Sequence, residues 1–164
     1  MANKQRQVFG VGSGTSQTAA PCADAVAVEQ GDLVGLVSAL VVPAASMPDV
    51  GTLAQNQEAF HDVFLGVSRS AHRATHDPLD PVQMDVATEG IFRFDMADTT
   101  GVNRGDLIGA GDHATPGAGL KSQTVAVVAT ANLAIGRVFK VFSGTEVWVE
   151  IQSVIQMGGA QAAA

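Results

Sequence analysis

Short apolar stretches alternate along the chain with Gly, Pro, Asp and Asn, the rhythm of strands separated by turns. Residues 32–42 are apolar almost throughout after Asp32, which predicts a strand pair, or one long strand, buried on both faces. The run from Val63 to Val67 predicts another short strand. Val82, Met84 and Val86 alternate with Gln83, Asp85 and Ala87, Glu89-Gly90 marks a turn or bulge, and Ile91, Phe92 and Phe94 resume the pattern, as in a bent strand or a hairpin. Near the end, Thr145, Val147, Val149 and Ile151 share one face while Glu146, Trp148, Glu150 and Gln152 share the other, the clearest half-buried strand in the sequence. Helical periodicity is scarce. Thr52 is placed to cap a short helix from Leu53 to about Phe60, and Asn132, Leu133 and Ala134 suit a single turn. The class predicted is mainly β, a small barrel or sandwich with one or two short helices.

A repeated phrase runs through this pattern. Gly31-Asp32-Leu33-Val34-Gly35 returns as Gly105-Asp106-Leu107-Ile108-Gly109, and Leu65-Gly66-Val67 is echoed by Ile135-Gly136-Arg137-Val138. The spacing is far too long for a solenoid repeat and hints at two related β-hairpin units inside one domain. Residues 1–22, with Lys4 and Arg6, then Val8 and Phe9, then a Gly- and Ser-rich stretch ending at Pro21, cannot offset their own ordering entropy and read as an extended N-terminal arm. Residues 23–157 form the β domain, and the small-residue stretch 158–164 reads as a flexible tail.

Composition narrows what such a domain can do. Charged residues make up 15% of the chain, against roughly 25% in an average soluble domain, so part of a weakly charged surface is expected to meet other protein. With 26 Ala and 18 Gly the backbones can approach closely but few large side chains remain, which favours a thin sheet-based core. A net charge of −7 argues against a nucleic-acid partner, because phosphate binding draws on surplus Lys and Arg. Cys22 stands alone, so no intrachain disulfide can form, consistent with assembly in a reducing compartment. No apolar run approaches the ~20 residues of a membrane span and the N-terminus lacks a signal-peptide core, so a soluble protein with no membrane partner is expected.

Candidate chemistry is thin. His72 and His76 are four apart with Asp77 following, the spacing of a helical metal pair, but Pro78, Pro81 and the Asp residues make the segment a loop, and no metal site is expected. Ser68 and Ser70 lie near His72 without a nucleophile elbow, so no catalytic residues are assigned and the protein is not read as an enzyme. Gly10 to Gly14 has neither the strand before it nor the helix after it that phosphate cradling requires, and no cofactor is expected. Arg104-Gly105-Asp106 matches an adhesion tripeptide but also serves the turn into Leu107. Trp148, the single Trp, faces away from the Val side of its strand and toward Glu146 and Glu150, the position of an aromatic at an interface rim.

Taken in order, six segments resemble the small head-decoration or capsid-cement proteins of tailed bacteriophages. They are Gly31-Asp32-Leu33-Val34, the stretch from Phe64 to Ser68, the stretch from Val82 to Phe92, Gly105 to Gly109, Leu133 to Val138, and the strand from Thr145 to Ile151. Together they span about residues 28–155, and their shared order, more than any one of them, carries the resemblance. It implies a compact β-barrel or tulip-like domain on the outside of an icosahedral shell, commonly a trimer near three-fold positions, adding no chemistry. The chain departs from shorter members of that family at Pro43–Asp62 and in the His-containing loop Ser70–Pro81.

The function expected is therefore adhesive. Such a protein would sit on the virion's outer surface after assembly in the host cytoplasm, bridging and stabilising subunits of the major capsid protein and associating with itself as a homotrimer. Lys4, Arg6, Val8 and Phe9 of the arm are the expected neighbour contacts, with Trp148 on the domain. Two rivals are a phage tail or baseplate β protein and a carbohydrate-binding module, the latter poorly served by one Trp and no Tyr.

Overall fold

A computed structural model describes residues 7–9, 17–22, 25–74, 83–113, 115 and 118–157 of the chain. Apart from β1 (Gln7–Phe9), its strands fall into two sets of five with one shared plan. The first half contains β2 (Gln17–Pro21), β3 (Leu33–Val37), β4 (Leu40–Pro43), β5 (Phe64–Ser68) and β6 (Gln83–Ala87), hydrogen-bonded in the order β2-β6-β5-β3-β4. The second contains β7 (Glu89–Met96), β8 (Leu107–Asp112), β9 (Leu120–Val127), β10 (Gly136–Ser143) and β11 (Glu146–Gln152), in the order β7-β11-β10-β8-β9. Parallel pairing of β7 with β9, at Asp95 with Thr124 and Met96 with Val125, closes the second set into a five-stranded barrel. The first sheet curls the same way, and its corresponding edges meet in a single parallel bridge between Cys22 and Val41.

The correspondence extends to register and to hydrogen bonds, and it explains the repeated phrase in the sequence. Leu33 and Val34 pair with Val67 and Gly66 as Leu107 and Ile108 pair with Arg137 and Gly136. Gly31 and Gly105 enter their strands at φ 95° and 94°, a left-handed turn conformation that suits glycine. The Asp that follows each accepts a hydrogen bond from a backbone N–H three residues earlier, Glu29 to Asp32 and Asn103 to Asp106, both at 2.8 Å. Gly66 and Gly136 lie where the next strand presses closest. A Cβ at these positions would lie 2.0 Å from the Ala87 carbonyl oxygen and 2.3 Å from that of Glu150.

Alternation sets two cores. In the first sheet Val34, Val41, Leu65, Met84 and Val86 pack with Ala20, Cys22 and Val28, while Leu33, Phe64, Val67 and Ala87 face the other way and join the barrel's core of Phe92, Phe94, Ile108, Leu120, Val147, Val149 and Ile151. Burial on both faces is why residues 32–42 are so continuously apolar. They form a hairpin, turning at Ser38 and Ala39 with φ of 51° and 65°. That turn lacks the Gly or Asn usual at positive φ, so the residues alone left a long strand open as well.

Thr52 caps α1 (Leu53–Val63) in a capping box with Gln55, and the helix runs three residues beyond the expected Phe60. Residues 43–62 thus supply most of the element that ties the halves together. From α1, Gln57 Nε2 donates to the Ala110 carbonyl (2.8 Å), and His61 Nδ1 bonds the Ala134 carbonyl (2.7 Å) just after the 3-10 turn Ala131–Leu133. Elsewhere Gln123 Nε2 donates to Asp32 (2.9 Å) and Ala45 N to Ser122 Oγ (2.9 Å). The last described element is α2 (Val154–Met157).

Of the bent strand and the hairpin that residues 82–94 allowed, the structure holds the bent strand: β6 and β7 belong to different sheets, and the chain passes between the halves at Thr88. One expectation needs correction. The stretch read as an arm also contributes to the domain. Residues 17–21 are β2, paired along their whole length with β6, and residues 7–9 add to β7 beside Ile91 and Phe92, so the β domain does not begin at residue 23.

Gly136→Ala is expected to cost about 3 kcal/mol in urea unfolding through backbone overpacking, and Gly66→Ala at least as much. Gly144→Ala, with nothing within 4 Å of the added Cβ, should stay within about 0.5 kcal/mol of the parent. Burial holds the Asp32 carboxyl above its ordinary value of 3.8, against the pull of its hydrogen bonds from Glu29 and Gln123. The unfolded chain loses this proton first as pH rises, so Asp32 favours the fold at low pH, and that contribution is lost as pH climbs through the raised folded value. Asp32→Asn, whose amide Gln123 can meet with its own carbonyl, should gain on the parent as pH rises from about 4 toward neutrality. Parallel stability curves would refute this.

Candidate protein-contact surface

The alternation of β11 puts Val147, Val149 and Ile151 inside the barrel and turns Glu146, Trp148 and Glu150 outward. Trp148 sits between Arg93 of β7 and Lys140 of β10 in the cross-strand register. The β10 pairing shifts between Val138 and Lys140, and again between Val141 and Ser143. Such bulges re-aim side chains. Here Val141 packs on the core while Lys140 and Phe142 are exposed.

These side chains form one connected cluster. The Phe142 ring stacks on Trp148 with centroids 5.9 Å apart and planes 11° from parallel. The Arg93 guanidinium lies 4.8 Å from the Phe142 centroid, and Lys140 Nζ lies 5.3 Å from the Trp148 ring. Arg93 Nη2 donates to both carboxylate oxygens of Glu146, at 2.8 and 2.9 Å, which fixes the guanidinium over the ring. At the same face Arg104 stands 5.1 Å over Phe139, and Arg137 Nη1 donates to the Gly105 carbonyl (2.8 Å). Exposed cation–π contacts contribute roughly 0.5–1 kcal/mol each and the stacked pair about as much. The cluster is held rigid, yet Phe142 stays 50% exposed. Rigid aromatics flanked by Arg form the chemistry of a protein-contact hot spot.

The fold by itself does not require such a face. In the first half the register pairs Asp85 with Ala19 where the barrel pairs Trp148 with Arg93. Asp85 there lies 3.9 Å from the Arg69 guanidinium. At these equivalent strand positions one half carries small and acidic side chains and the other a Trp beside an Arg.

The other sequence candidates fall elsewhere. Trp148 is outward and half-buried, as its strand face indicated. Val8 and Phe9 lie in β1 on the edge of β7 in the same chain, and Lys4, Arg6, the glycines at 10, 12 and 14, His76 and Asp77 lie outside the described residues. His72 bridges Val28 and bonds the Val26 carbonyl through Nδ1 (2.8 Å). Ser68 donates to the carbonyls of Glu29 and Ser70, and Ser70 Oγ accepts from Asp85 N, so both hydroxyls serve loop structure. Among the described residues no three His, Cys, Asp or Glu side chains gather as a metal group. Gly105 and Asp106 make the turn described above, with Arg104 folded over Phe139.

Sequence reasoning missed Arg93, Lys140 and Phe142. Arg93 was accessible from its place between Phe92 and Phe94, but the two bulges that bring Lys140 and Phe142 outward leave no mark in the residue pattern. No family model, curated protein or solved structure matches the chain.

Trp148, the chain's one Trp, reports on this cluster. Phe142→Ala should uncover one side of the indole and shift its fluorescence emission to longer wavelength while the unfolding free energy falls by about 1–2 kcal/mol, the stack and the Arg93 contact together. An unshifted spectrum would mean that the stack does not shield it.

Proposed function

We propose that this protein is a structural virion component that decorates and cements the outer surface of an icosahedral phage capsid. The observation that carries the reading is the exposed Phe142–Trp148 stack, clamped by Arg93, Glu146 and Lys140 on a protein otherwise sparing with charge. A preorganised aromatic surface favours holding a neighbour, because little side-chain entropy remains to be lost on contact. The ordered segments that resemble cement proteins supply the class of neighbour, and they include the Gly-Asp turns and close-approach glycines of both halves. Output is mechanical: many modest contacts around a symmetric shell add up to firm attachment. The N-terminal stretch adds shell contacts through Lys4 and Arg6, with β1 anchoring its far end on β7.

Purified protein mixed with undecorated shells should appear as added density on their outside. Trp148→Ala should weaken assembly by a factor of about 30, the loss of one interface hot spot. Deleting residues 2–10, which spares β2, should lower shell occupancy without unfolding the domain. Density on tails or baseplates, or specific retention on a glycan array with no shell binding, would overturn the capsid reading.

A further inference from the structure

The shared plan of the two halves leaves one edge unequally covered. Gln17, Thr18 and Ala19 of β2 correspond to Ile91, Phe92 and Arg93 of β7, an alignment fixed by the pairs Ala19–Asp85 and Arg93–Trp148 and by the bridges Cys22–Val41 and Met96–Val125. The Met96 N–H donates to the Thr145 carbonyl beside β11, so the even-numbered residues of β7 turn their backbone groups toward β11 and the odd-numbered ones turn away. That outer edge is taken by β1 at Ile91 and by β9 at Asp95. By the same alternation Gln17, Ala19 and Pro21 turn away from β6, which suits Pro21, since it has no N–H to give to the ladder. Strand β4 reaches this edge at Cys22, and among the described residues no strand takes the part that β1 covers on β7. Gln17 and Ala19 are exposed, whereas Ile91, beside β1, is buried.

We propose that the outer edge of β2 pairs antiparallel with the same edge of a second copy of this chain, across a two-fold axis at Thr18 that sets Gln17 of each copy opposite Ala19 of the other. The seat of β1 on β7 shows that an edge of this shape accepts an antiparallel strand, and a two-fold axis gives two identical edges that same sense. In this register the outward N–H and C=O groups of Gln17 and Ala19 in both copies all find partners, and neither Pro21 nor the meeting with β4 at Cys22 is disturbed. What each candidate gains selects the occupant. A β1 strand transferred from another copy would give up an equivalent seat on its own β7, whereas two open β2 edges both gain. Side chains do not oppose the approach, because Gln17 to Pro21 carry none of the charges with which natural edge strands repel one another. The contact is isologous and carries the first sheet from one copy into the next.

Sedimentation of the full chain, without shells, tests this. Wild type should run above the 16.8 kDa monomer by about 100 μM. Each copy carries a net charge of −7, so a contact made by backbone pairing should hold or tighten as salt rises. Ala19→Pro removes an outward N–H and spares the ladder with β6, so it should weaken association at least about tenfold while the circular dichroism spectrum stays that of the parent. Thr18→Cys sets a thiol opposite its own copy at the axis, and under mild oxidation it should form a disulfide-linked dimer at least about tenfold faster than Ala19→Cys, which faces Gln17 instead. Cys22 is buried and is the common background of both variants. A wild type that stays monomeric, a folded Ala19→Pro that associates normally, or Thr18→Cys cross-linking no faster than Ala19→Cys would overturn the proposal, and the cross-linking comparison decides it even where Ala19→Pro does not fold. Dimers that form without any shell binding would instead defeat the capsid reading and leave this contact standing.

Discussion

Both halves of this protein hang on backbone meeting backbone at a distance that leaves no room for a side chain. At Gly66 and at Gly136 the carbonyl of the neighbouring strand occupies the space where a Cβ would be. That approach brings the β5–β6 and β10–β11 pairs close together, letting the sheets curl tightly enough for the first and third strands of each set to meet. A sheet closed on itself has few raw edges left to protect. A chain rich in Ala and Gly and short of large apolar residues can bury its core this way, because a narrow barrel has little interior to fill.

From one plan the two halves have been put to different uses. The outer face of the first is small and polar at Ala19 and Asp85, while Leu33, Val67 and Ala87 on that same face, together with Phe64, complete the core of the second. The barrel, supported from that side, exposes a rigid cluster of aromatic and cationic groups. Helix α1 occupies the place that the second half fills with one 3-10 turn, and its polar side chains reach across to backbone carbonyls of the barrel. Scaffold and contact surface are thereby divided between two copies of one architecture.

Much of this organisation was legible in the residues, and the limits of legibility have physical causes. The β11 alternation placed Trp148 outward, the Thr52 signal placed the helix start, and the repeated Gly-Asp phrase pointed to internal kinship because its turn needs glycine at positive φ. The scale of that kinship was hidden. Five strands correspond, but the pairings that show it, such as Cys22 with Val41 against Met96 with Val125, join residues remote in sequence. The Ser38-Ala39 turn was hidden because local strain there is overruled by the hairpin's burial. Within the contact cluster, Trp148 followed from periodicity, whereas Lys140 and Phe142 depended on register shifts that periodicity cannot encode.

The sharing of Leu33, Phe64, Val67 and Ala87 with the barrel core bears on how the chain comes to be folded at all. The first sheet precedes the barrel in the chain, and one of its faces stays greasy and uncovered until the strands of the barrel, β11 among them, are in place. Ser153 then fastens that final strand to the Thr88 and Phe64 carbonyls, far back in the chain. Acquisition of the native state is consequently a late, concerted event dominated by distant contacts, slow for a polypeptide of this size. The two halves are completed by one shared core.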